Sequence, residues 1–220
     1  MSDTDSFIDE VSEEVRRDRL FKLMKKYGWI AITLVVLLVG GAAYIEWNKA
    51  RDRSSAEALG DKILAAFQVE EPADRFLTLG EIDSEGAAGA MLALLTAGEA
   101  VQSDDLDGAI IRLREVAADT TLPATYRHLA ELKLILIEGE DIPAAERISR
   151  LEPLAVAGSP YRLLAEEQMA VAEISTGNID GALQRLQNIL ADGEVTAGLR
   201  RRVSQLIVAL GGELIPASAG

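Results

Sequence analysis

The 220-residue chain has no cysteine and a single histidine, His128. Without cysteine there can be no disulfide, thiol catalysis, Cys-ligated metal or acylated lipoprotein anchor, and one imidazole leaves little for a zinc site. Basic charge is scarce too: 22 Lys and Arg stand against 36 Asp and Glu, a formal charge of −14. That balance argues against a nucleic-acid partner, since phosphate binding draws on clustered Lys and Arg. There is no Gly-rich phosphate loop, GxSxG or HExxH. Adjacent carboxylates such as Asp104/Asp105 and Glu166/Glu167 diverge by about 100° on a helix and cannot share a substrate. His128, in Tyr126-Arg127-His128-Leu129, has no second His or Cys to act with. No enzyme and no cofactor are expected.

One apolar run is present. Tyr27–Ile45, YGWIAITLVVLLVGGAAYI, carries no charge, and Trp29, Tyr44 and Trp47 stand near its ends as interfacial aromatics do. A helix of roughly 20 residues crosses a hydrocarbon core of about 30 Å, so the segment reads as a single membrane helix over 27–47. Six basic residues precede it (Arg16, Arg17, Arg19, Lys22, Lys25, Lys26), and Lys49, Arg51 and Arg53 follow. The positive side stays in the cytoplasm. Residues 1–26 are then a cytoplasmic tail and 48–220 an exported, in a bacterium periplasmic, domain. A cleaved signal peptide is the competing reading, with Gly41, Ala42 and Ala43 as small residues; the 26-residue charged lead and anchor-length run favour an uncleaved anchor.

In the tail, Phe7, Ile8, Val11 and Val15 share a helical face opposite Asp9, Glu10, Glu13 and Glu14, so a short amphipathic helix or a solvated tail both fit. Within the span Gly40, Gly41 and Ala42 form a small-residue patch against which another helix could pack.

From residue 46 onward 29 acidic side chains face 16 basic ones, a balance of −13 that keeps the domain soluble and repels anionic lipid. Ala, Leu, Glu and Arg dominate, apolar residues recur at three and four, and Pro72, Pro123, Pro143 and Pro160 fall at helix starts. Leu106-Asp107-Gly108-Ala109-Ile110-Ile111-Arg112-Leu113 recurs 73 residues later as Ile179-Asp180-Gly181-Ala182-Leu183-Gln184-Arg185-Leu186. Between them lies a weaker copy, Asp141-Ile142-Pro143-Ala144-Ala145-Glu146-Arg147-Ile148. Aligned on Ala109, Ala145 and Ala182 the offsets are 36 and 37, a period in which two helices make each unit. The fold class is all-α: one transmembrane helix and then an α-solenoid.

These units resemble degenerate tetratricopeptide repeats. The resemblance assigns Ala109, Ala145 and Ala182 to the close helix crossing, Ala97 and Ala170 to the small position on the preceding helix, and Leu113 and Leu186 to the large position that follows. In the middle unit the last two positions fall on Lys133 and Ser149. The match covers roughly 86–196, with helices at 53–68 and 73–82 before it and a capping helix at 197–210. Family geometry also implies a concave groove lined from 86–98, 125–138 and 161–175, with Tyr126, Arg127, Arg162 and Gln168 as contacts. The run Arg200–Arg202 is a positive spot that could meet an acidic partner or lie on a solvated face.

Taken whole, the tail Phe7-Ile8-Asp9-Glu10-Val11, the segment Glu14–Leu20, Lys26-Tyr27-Gly28-Trp29 and the repeat domain resemble the YfgM-type ancillary subunits of the bacterial Sec translocon. That resemblance implies a single-span inner-membrane protein associated with SecYEG and a PpiD-type periplasmic isomerase chaperone, linking export to periplasmic folding. The alternative on the same architecture is a scaffold of another inner-membrane complex, respiratory or cell-division.

Overall fold

The computed structural model describes residues 3–214, with side chains from Met24 onward apart from Ala31. The apolar face read over Phe7, Ile8, Val11 and Val15 lies outside the described side chains. The chain divides into two units, 1–61 and 62–220.

The first unit is carried by one helix, α1 (Asp3–Ala66), 64 residues long. The separate helix expected over 53–68 is instead the end of α1: neither Pro nor Gly interrupts the chain from Ala42 to Leu59, and the first proline is Pro72. Every described side chain from Trp29 to Trp47 is exposed, and mean hydropathy in this stretch reaches 2.2. A helix apolar on all sides satisfies its own backbone but not its surface. It is long and apolar enough to cross a membrane.

Among its described residues the second unit consists of helices joined by turns, without a strand. After the end of α1 come α2 (Pro72–Gly80), α3 (Gly86–Gln102), α4 (Leu106–Ala118), α5 (Ala124–Glu138), α6 (Ala144–Leu151), α7 (Arg162–Ser175), α8 (Ile179–Ala191) and α9 (Ala197–Ala209). Short 3₁₀ turns, Gly139–Asp141 and Glu152–Leu154, flank α6. Prolines open α2 and precede α5 and α6, where a missing N–H leaves no bond unmade.

The recurrent Asp-Gly-Ala motif has a capping role. Asp105 accepts from Gly108 N at 2.9 Å at the start of α4, and Asn178 from Gly181 N at 3.3 Å at the start of α8. A β-carbon on either glycine would fall within 2.3 or 2.4 Å of that capping side chain, so glycine is what lets the cap fold back. One residue before the cap, both turns pass through the left-handed region: Gly177 at φ 79° and, in the earlier copy, Asp104 at φ 63°.

Apolar burial proceeds along the array as a series of neighbouring cores. After a small cluster of Ala66, Leu79 and Leu92 from the end of α1, α2 and α3, the first large core joins Ala97, Ala100, Ala109, Leu113, Ala130 and Leu134, from α3, α4 and α5. The middle one joins Leu132 and Ile135 of α5 to Leu151, Leu154, Ala165 and Met169. The last joins Ala170 of α7 to Ala182, Leu186, Ile189, Leu199, Val203 and Ile207. Helices α5 and α7 each serve two cores with different faces, the nearest-neighbour packing of a solenoid.

Candidate functional site

Three second helices present the same buried triplet. In α4 it is Ala109, Leu113 and Val116; in α8 it is Ala182, Leu186 and Ile189; in the middle unit it is Arg147, Leu151 and Leu154. Each triplet has the spacing 0, 4, 7 of one helix face. This corrects the register of the middle copy by two residues. Ala145 is exposed and is not the crossing residue; its expected place belongs to Arg147. The large position is Leu151 rather than Ser149, and the position on the preceding helix is Ile135, 3 % exposed, rather than Lys133. The physical reason is that burial follows the leucine stripe and not the alanine: Pro143 and the short helix put Ala144 and Ala145 in the first turn, short of the crossing.

The other packing residues sit in the cores. Ala97, Ala109 and Leu113 lie in the first and Ala170, Ala182 and Leu186 in the last. At the alanines helices approach closely because nothing larger than a methyl intervenes. At Arg147 the side chain instead reaches Ser175 at the end of α7, and backbones α5 and α6 stay farther apart than those of α3/α4 or α7/α8.

What spans the wider gap is charge. Arg150 on α6 donates to Glu131 and, at 2.7 Å, to Glu138, both on α5. Thirty-five residues on, Arg185 on α8 donates to Glu166 and, at 2.8 Å, to Glu173, both on α7. The pattern Glu-(seven)-Glu-(twelve)-Arg is thus repeated in space. The same offset carries Leu151 to Leu186, and it sets Ile135 of the middle unit against Ala170 of the last. Burial pushes the Glu138 carboxyl up, but hydrogen bonds from Arg114 and Arg150 outweigh it and hold the group below its usual range. The Arg185 guanidinium is raised by its hydrogen bonds to Glu173 and Glu166.

The same device staples other helices. The three buried glutamates Glu99, Glu138 and Glu167 each accept from an arginine on another helix: Arg75 of α2 at 2.7 Å, Arg114 of α4 at 2.7 Å, and Arg202 of α9 at 2.8 and 2.7 Å. A buried carboxylate is tolerable only with such partners. Sequence reasoning missed both sets of ties; the 35-residue recurrence of two glutamates and an arginine was a signal for those of Arg150 and Arg185 alone.

The expected groove contacts lie on α5 and α7. Tyr126 is half-buried against the first core, and Arg127 donates to the Leu122 carbonyl at 3.3 Å. Tyr161, at the entry to α7, lies near Tyr126; burial and then that neighbour raise its phenol above the ordinary value. Arg162 pairs with Asp192 at 2.9 Å and Glu194 at 2.8 Å, on the rim of a polar cleft between α7 and α8 that also holds Glu166, Glu173 and Arg185. Gln168 is half-buried on α7. In the first unit Gly40, Gly41 and Ala42 are exposed, with open space where a β-carbon would be added at either glycine. Among the described residues no cluster of three His, Asp or Glu is placed to hold a metal ion.

Over residues 22–155, from the apolar helix through α6 and its closing turn, the sequence matches the tetratricopeptide repeat-like domain family. The chain belongs to that family. No curated protein and no solved structure matches it. The tetratricopeptide repeat-like array continues beyond the matched span, because α7 and α8 repeat the packing of α3 and α4. Domains of this family are protein–protein interaction modules.

Proposed function

We propose that this tetratricopeptide repeat-like protein is a membrane-anchored, non-enzymatic interaction module at the Sec translocon, linking export to periplasmic chaperones. The observation that supports the anchor is the uniformly exposed apolar surface of α1 from Trp29 to Trp47, with lysines before it. On this reading the N-terminus is cytoplasmic, the array is periplasmic, and Gly40, Gly41 and Ala42 offer a close-packing face to a translocon helix. Ala97, Ala109, Leu113, Ala170, Ala182 and Leu186 hold the array in shape, and Tyr126, Arg127, Arg162 and Gln168 are its proposed partner contacts.

The test is affinity purification of the full-length protein from its own membrane in mild detergent, with mass spectrometry of what accompanies it. Enrichment of SecY and a PpiD-type isomerase is the expected result. Enrichment of a respiratory or cell-division complex without Sec subunits would transfer the chain to the scaffold class.

A further inference from the structure

Within the array each helix is covered by the one that follows, and α9 is the last described helix. Its inner face, Leu199, Val203 and Ile207, is buried in the last core. Its outer face is not bare polar surface. Val195, Arg200, Arg201, Ser204, Val208 and Leu214 line a shallow, mainly apolar groove along it. Val208 is 60 % exposed and Leu214 48 %.

Two arginines border this apolar groove. Arg202, the third arginine of the run, is drawn down to Glu167. Arg200 gives one N–H to the Leu190 carbonyl at 3.2 Å, and neither Arg200 nor Arg201 forms an ion pair among the described residues. Two uncompensated guanidiniums therefore stand at the rim of an apolar groove, on a domain whose balance is −13. An acidic partner is repelled by the general surface and attracted where two arginines adjoin an apolar groove, which favours docking here. Spacing at three and four along α9 suits a helix laid into the groove.

We propose that this face receives an amphipathic helix of a partner protein, apolar side chains over Val208 and Leu214 and carboxylates against Arg200 and Arg201. The site is independent of which membrane assembly the chain serves. A lipid surface is wider than the groove and would bring anionic headgroups against the surrounding acidic domain, whereas a single helix meets only the groove.

The experiment uses the full-length chain in nanodiscs of neutral lipid and a fluorescein-labelled amphipathic peptide with leucines at three- and four-residue spacing and flanking glutamates. A twin peptide carries lysines instead. Fluorescence anisotropy should show saturable binding of the glutamate peptide that weakens with salt, at least about tenfold weaker in Val208→Asp. Arg200→Glu with Arg201→Glu should turn the preference toward the lysine peptide. Unchanged thermal transitions of these variants establish that they fold. Equal binding of the two peptides, or an unchanged affinity in Val208→Asp, would overturn the proposal. So would self-association abolished by Val208→Asp without peptide binding, which assigns the face to a second copy. Capture by phosphatidylglycerol vesicles that the double arginine variant loses would equally overturn it in favour of lipid.

Discussion

The Arg147 guanidinium donates to the Ser175 hydroxyl at 2.6 Å, from α6 to the end of α7, while its Nε finds no partner. It is 6 % exposed and forms no ion pair among the described residues. A buried cation with one neutral acceptor and an orphaned donor is a cost that the fold carries at its middle hairpin. Arg147→Met should raise stability by about 1–3 kcal/mol, because it removes that cost and still fills the space. Ser175→Ala should lower it by about 1–3 kcal/mol by stranding the guanidinium further. Thermal unfolding of the two variants should move in opposite directions.

The equivalent position in the last hairpin should behave in the reverse sense. Ala182 is fully buried where α7 and α8 approach closely, and arginine there has neither room nor a Ser175 to meet. Ala182→Arg should cost about 3–5 kcal/mol. Circular dichroism should show the loss of a cooperative transition at the C-terminal end; an unchanged transition would refute the packing assignment.

Acid should loosen the α4–α5–α6 junction through Glu138. Its folded-state carboxyl is held below the ordinary value of 4.5, so the stabilisation is fully present above that pH and is lost as pH falls through the lower folded value. Denaturant unfolding at a series of pH values should therefore show a decline beginning near pH 4.5, and Glu138→Gln should flatten that limb while lowering stability at neutral pH.

Asp104 adopts a positive φ in the turn where the later copy uses Gly177. Left-handed backbone costs an L-residue about 1–2 kcal/mol, somewhat less for Asp, and glycine gives back part of the gain through a freer unfolded chain. Asp104→Gly should stabilise the array by about 0.5–1 kcal/mol. A melting temperature a few degrees higher is the readout.

The helical class, the apolar helix and the flanking repeats are legible because Asp-Gly-Ala and its capping residue recur almost intact in two units. The middle unit falls two residues out of place because alanine serves as the marker, and there the crossing residue is Arg147. Alignment on Leu151 and Arg150 recovers it. The continuity of α1 past Trp47 escapes for a different reason: a change from apolar to charged composition marks a change of surroundings, not of backbone. The arginine staples are hidden because a carboxylate and a guanidinium 24 or 35 residues apart carry no local signal, and their burial becomes visible only when the helices stack.

Because α5 links the first and middle cores and α7 links the middle and last, no single core holds the whole array. Tension applied at α9 meets Leu199, Val203 and Ile207 first, and the middle and first cores only after that grip is lost. The array gives way in instalments, like a hem unpicked stitch by stitch, and what has not yet been pulled remains a template on which the released helices can settle again.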